Sequence, residues 1–164
     1  MKALDVNVIN QSAPYGVRIE DGSYRFHTDY DIAYIVEFEQ EDVFENASAY
    51  WFGVVNRSHR PSPNDSKVRA TIICIIEEFF RQNPDILLYM CDSADDQQSM
   101  RNRLFLRWFN GYEQQKQYVI RTAKILDEGI ETYVAIIIQK SNPQLEYILQ
   151  QFDEQTALFR DNKP

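Results

Sequence analysis

The chain has 164 residues, 44% hydrophobic, 13% aromatic and 26% charged, the composition of a folded protein with a real core rather than a disordered one. Asp and Glu number 25 against 17 Lys and Arg, a net charge of -8. That argues against a protein built to hold duplex nucleic acid or an anionic membrane, because both need a cationic face.

One globular domain over 1–164 is expected, with 1–20 and 160–164 less ordered. No stretch reaches the roughly 18 apolar residues of a membrane span. The opening Met1–Asp5 has no apolar signal segment, so a cytoplasmic chain with reduced thiols is expected. After an irregular N-terminus, Asp21-Gly22-Ser23 marks a turn, and Tyr24-Arg25-Phe26-His27 alternates as a strand does. A second strand is predicted over 30–38 and a third over 50–55, both rich in β-branched and aromatic residues. The acidic stretch 37–46 between them reads as a loop or short helical turn.

Residues 56–66 hold Arg57, His59, Arg60, Pro61 and Pro63 and form no regular element. They end in Asn64-Asp65-Ser66, good helix N-caps. From 66 to 82, Val68, Ile72, Ile75, Ile76, Phe79 and Phe80 fall at helical spacing. The β-branched run within 71–76 also suits a strand, but the stripe is longer than most strands, so a largely buried helix is predicted. Asn83-Pro84 stops it. Residues 85–91 are a short continuous apolar run, the mark of an interior strand.

An acidic loop, 92–96, then leads into a predicted helix over 97–110. It carries Met100, Leu104, Phe105, Trp108 and Phe109 on one side, with Trp108 and Leu104 expected against the sheet; Gly111 closes it. Two long strands, 118–126 and 130–140, flank Asp127-Glu128-Gly129 and form the clearest hairpin. Ser141-Asn142-Pro143 opens a last helix, with Leu145, Ile148, Leu149, Phe152 and Phe159 on one face. The order β-β-β-α-β-α-β-β-α predicts an α+β domain, a mostly antiparallel sheet of about six strands with three helices.

Few residues point to chemistry. Cys91 ends a strand, but neither His27 nor His59 stands in a spacing that would activate it, so both cysteines read as packed small hydrophobes. No His or Cys spacing suits a metal, and Asp92, Asp95 and Asp96 read as a capped helix start. Arg57, His59, Arg60, Lys67 and Arg69 cluster where a loop feeds a helix N-terminus, a place that favours anions. No glycine lets the backbone close on a phosphate there, and Asp65 brings a negative charge. Arg101, Arg103 and Arg107 offer a surface for an acidic partner or RNA, or pair with the nearby aspartates. No catalytic set is identified. The reading that results is a non-enzymatic cytoplasmic interaction or regulatory domain that self-associates, with protein partners, no metal and no cofactor. Nucleic acid and membrane partners are not expected.

Two resemblances add to this. The stretch 87–109, Leu-Leu-Tyr-Met-Cys-Asp-Ser-Ala-Asp-Asp-Gln-Gln-Ser-Met-Arg-Asn-Arg-Leu-Phe-Leu-Arg-Trp-Phe, resembles a signature of a small family of uncharacterised bacterial proteins. That implies a stand-alone domain and brings no activity. The order of elements over about 24–140 is similar to that of the GNAT acetyltransferase superfamily from its central strand onward. That resemblance implies an acyltransferase as the alternative function, with acetyl-CoA as its ligand. It would make 56–66 the pyrophosphate loop and set Asn110-Gly111-Tyr112 like the Gly-aromatic pair ending the last conserved helix. The sequence departs from the superfamily in lacking its glycine-rich Arg/Gln-x-x-Gly-x-Gly/Ala pattern, in placing Arg107 near its acid tyrosine, and in having strand-like sequence where its N-terminal helix pair stands.

Overall fold

The computed structural model describes residues 1–92, 111, 117–127 and 129–161. In chain order the elements are α1 (Val6–Ser12), β1 (Arg18–Glu20), β2 (Ser23–His27), β3 (Ala33–Glu41), β4 (Ala49–Asn56), α2 (Ser66–Gln82), β5 (Ile86–Asp92), β6 (Tyr118–Asp127), β7 (Ile130–Gln139) and α3 (Leu145–Asp161). Seven strands form one sheet in the order β1-β2-β3-β4-β5-β7-β6. β4 and β5 run parallel, while β1/β2, β2/β3, β5/β7 and β6/β7 are antiparallel. The fold is α+β, with the strands and helices from β2 onward in the predicted order. The predicted helix 97–110, with Trp108 and Leu104, lies outside the described residues.

Two expectations need correction. The N-terminal stretch is not irregular: it carries α1 and β1. Asp5 caps α1 by accepting from the Asn7 N–H, and the buried Leu4 and Ile9 anchor it. The acidic stretch from Glu37 is not a loop at its start either, because β3 continues to Glu41. Val36 is buried and Phe38 half-buried while Glu37 and Glu39 face water, so the charges lie on one wet face of a strand.

The chain forms two compact units, 1–39 with 52–84, and 40–51 with 85–164. The first absorbs much of the aromatic load. Tyr15, Phe26 and Tyr34 stack in sequence, with ring centroids 6.0 and 5.3 Å apart. Phe38 stacks on Phe79 at 5.2 Å and 7° and also meets Tyr24 and Phe52. β1 and β2 join through Asp21-Gly22, both at positive φ, a turn whose twist matches a two-residue hairpin. α2 buries Ile72, Ile75, Ile76, Phe79 and Phe80. It begins at its Asp65 cap and ends before Asn83, whose side chain accepts from the Lys2 N–H and donates to the Phe79 carbonyl.

Glu78 is a buried carboxylate on α2. It accepts two hydrogen bonds from Arg81 at 2.7 Å, one from Gln82 and one from the Asp5 N–H. Burial pushes its carboxyl up, but these bonds together outweigh burial and hold it below the usual carboxylate range. A carboxyl lowered on folding adds stability above its unfolded value, and that stability is lost as pH falls through the folded value. Glu78→Gln is therefore expected to flatten the fall in stability below about pH 4.5. Urea melts of both proteins across the acid range measure it; parallel curves would contradict it.

In the second unit, β6 and β7 form the predicted hairpin, ten residues each, with Asp127 opposite Ile130 and Gly129 at φ 81. They are the longest strands described. β5 is interior, as expected: β4 pairs with it on one side and β7 on the other, and Leu88 is 3% exposed. Leu88, Val134, Ile136, Ile138, Ala123 and Ile125 form one core with Ile148 and Phe152 of α3. Leu87, Tyr89, Ala135 and Ile137, of opposite parity, are buried too. Burial on both faces explains why β5 reads as an unbroken apolar run. Asn142 caps the approach to α3, its side chain accepting from the Gln144 N–H.

Candidate functional site

The loop 57–65 is shaped by side chains rather than glycines. Asn56 accepts from the Ser58 N–H and donates to the Arg60 carbonyl, both at 2.9 Å. His59 takes a left-handed conformation, φ 54. Ser58 accepts from the Ala33 N–H, and the Arg57 N–H donates to the Ala33 carbonyl, so the loop's start is tied to β3.

Two of the five predicted anion-binding residues are already engaged by acids. Arg60 donates to the Asp31 carbonyl and lies 3.4 Å from its carboxylate, which also meets His27 Nε2 at 2.7 Å. The His27 hydrogen bond, then the Arg60 charge, hold the Asp31 carboxyl below its ordinary value. Lys67 Nζ pairs with Asp29 at 2.9 Å, and that bond raises its pKa. Lys67 also stands over the Tyr15 ring, 5.6 Å from its centroid.

The N-terminus of α2 is filled by its own cap. Asp65 accepts from the Lys67 N–H at 3.0 Å and from the Tyr15 hydroxyl at 2.5 Å. Tyr15 also accepts from the Asp29 N–H. Burial first, then the Asp65 carboxylate, push the Tyr15 phenol up to about 12. A carboxylate thus stands where an incoming anion would dock. Asp65→Ala should cost about 1 to 2 kcal/mol through the lost cap; a chemical melt measures it, and a change below a few tenths would contradict the assigned role.

Arg57 goes elsewhere. It lines a shallow depression of about 110 Å³ with Arg18, Arg25, Phe26, His27, Ala33, Tyr34 and Ile35. His59 and Arg69 do not line it; Arg69 sits half-buried on the first turn of α2. The five cations predicted as one cluster therefore divide. Arg18 and Arg25 were not singled out from the sequence. The signal lay in the Asp21-Gly22 turn, since a two-residue hairpin centred there sets Arg18 opposite Arg25.

Cys74 is half-buried, and burial followed by the Glu77 charge pushes its thiol up, which disfavours the nucleophilic thiolate. No group of three or more metal-ligating residues occurs among the described residues. The candidate surface Arg101, Arg103 and Arg107, the Asp95 and Asp96 carboxylates, Asn110 and Tyr112, and the side chains of Cys91 and Asp92 lie outside the described residues.

A family of unknown function (DUF6169) matches residues 64–154, and the chain belongs to it. The stretch 87–109 that carries the first resemblance lies inside the match. The match begins just before the Asp65 cap, so Arg57 and its depression lie ahead of it. No curated protein and no solved structure matches the chain. No helix is long and apolar enough to cross a membrane among the described residues.

Proposed function

We propose that the chain is a non-enzymatic binding module of the cytoplasm that works through protein partners, its own copies among them. The observation that carries this is the occupied start of α2. Asp65 caps it, Tyr15 holds Asp65, and Asp29 and Asp31 engage the neighbouring cations. A pyrophosphate placed there would meet a carboxylate and cations already neutralised. Self-association has its own support. β6 stands at one end of the sheet order, and ten-residue edges pair readily with another strand. Sedimentation velocity should give a dimer or larger; a monomer at all concentrations would contradict that part.

The alternative, an acyltransferase-like protein binding acetyl-CoA along 56–66, is favoured by the strand order, with β4 and β5 as its parallel pair and α2 between them in sequence. Thermal melts separate the two. A ligand at ~100 times its Kd adds about 2.7 kcal/mol, or roughly 5 to 10 °C in a domain of this size. On the proposed reading, acetyl-CoA raises Tm no more than inorganic phosphate at equal ionic strength. A rise of that larger size would establish the alternative.

A further inference from the structure

We propose that Arg18, Arg25 and Arg57 form a docking site for a terminal phosphate group. The proposal rests on the binding-module reading and names the chemistry that module recognises. The antiparallel register sets Arg18 directly opposite Arg25. Like charges facing each other across strands destabilise a sheet unless something offsets them. Arg57, a third arginine, lines the same depression. The acids nearby hold them loosely. Glu20 lies 3.4 Å from Arg18 Nε and 3.8 Å from Arg25 Nη1, and Asp21 lies 4.0 Å from Arg25 Nη2. Ser23 Oγ accepts from Arg25 Nε at 3.1 Å. Arg57 has no acid partner among the described residues. Guanidinium forks suit a phosphate, which offers several acceptors and two charges to a set that Glu20 and Asp21 only partly neutralise.

Size narrows the ligand. The depression is about 110 Å³, whereas pockets for whole cofactors or drug-sized molecules begin near ~300 Å³. It fits one phosphate group presented from outside, not a buried nucleotide. In the β2/β3 register Ile35 lies opposite Arg25 and Ala33 opposite His27, and both line the depression, so its lining is partly apolar and weakens competition from water.

The test is a phosphorus NMR titration of inorganic phosphate into the full chain. Saturable line shifts are expected, reversed by sulfate and not by chloride at equal ionic strength. Arg57→Ala and Arg18→Ala should each weaken binding by about tenfold or more, because each removes charge-assisted bonds. Arg60→Ala, whose side chain is engaged by Asp31, should stay within about twofold of the parent. Arg57→Lys, keeping charge without the fork, should fall between. Unchanged binding in Arg57→Ala, equal loss in Arg60→Ala, or equal displacement by chloride overturns the site. If Arg57→Ala fails to fold, Arg57→Gln is read by the same criteria. Failure here, with acetyl-CoA stabilising no more than inorganic phosphate, leaves the binding-module reading standing; stabilisation by acetyl-CoA well beyond that of inorganic phosphate removes that reading instead.

Discussion

Phe79→Ala should lower the unfolding free energy by about 3 to 5 kcal/mol, the usual loss when a fully buried ring is truncated. Phe79 is 0% exposed, stacks on Phe38, and meets Phe80 edge-on at 5.2 Å. Its removal leaves Phe38 without its parallel neighbour, and α2 loses its anchor on the aromatic cluster. The backbone around it is helical and held by the Asn83 bonds, so the cavity collapses only in part. Urea denaturation followed by far-UV circular dichroism measures the change as a lower midpoint at constant slope. A loss below about 1 kcal/mol would mean that the ring is not the packing centre described.

Phe152→Ala should cost a similar amount, about 3 to 5 kcal/mol, in the other unit. Phe152 is 3% exposed and, with Ile148 at 0%, seats α3 on the core of β5, β6 and β7. The ion pair of Arg121 with Asp153, 2.6 Å long but exposed, holds the helix far less strongly. Breaking it with Asp153→Asn should therefore change stability by less than about 1 kcal/mol. If the two substitutions cost the same, the docking of α3 has been assigned to the wrong contact.

Much of the fold was legible because local signals agreed with tertiary structure. Helix α2 shows its Asp65 cap, its apolar stripe and its Asn83-Pro84 stop in the sequence, and its bounds match the prediction. The β6/β7 hairpin and the interior β5 announced themselves by length and by unbroken apolar character. What escaped was held by distant partners. α1 is seven residues long, too short to stand alone. The Asp5 N–H donates to Glu78 and the Leu4 N–H to Tyr24, from elements far along the chain. The end of β3 was hidden by Glu37 and Glu39, whose charges suggested a loop although their alternation with Val36 and Phe38 fits a strand with one wet face.

The candidate site was less legible for the same reason. Arg57, Arg60 and Lys67 are neighbours in sequence, but Asp29 and Asp31 decide which of them stays available. Those acids come from the turn between β2 and β3, and nothing within 56–69 encodes their approach. Only Asp65 announced its part, both as helix cap and as an opponent of anions.

In the proposed function, Asp65 fills the start of α2 and keeps an acyl-CoA from docking there. The direct test is calorimetric titration of the wild type with acetyl-CoA and with adenosine 3′,5′-bisphosphate, which carries phosphate groups without the pantetheine arm. The expected result is equal, weak affinities for the two, both reduced by Arg57→Ala. Acetyl-CoA bound about tenfold or more tightly than the bisphosphate, a gain of about 1.4 kcal/mol from the rest of the molecule, and unaffected by Arg57→Ala, would contradict it.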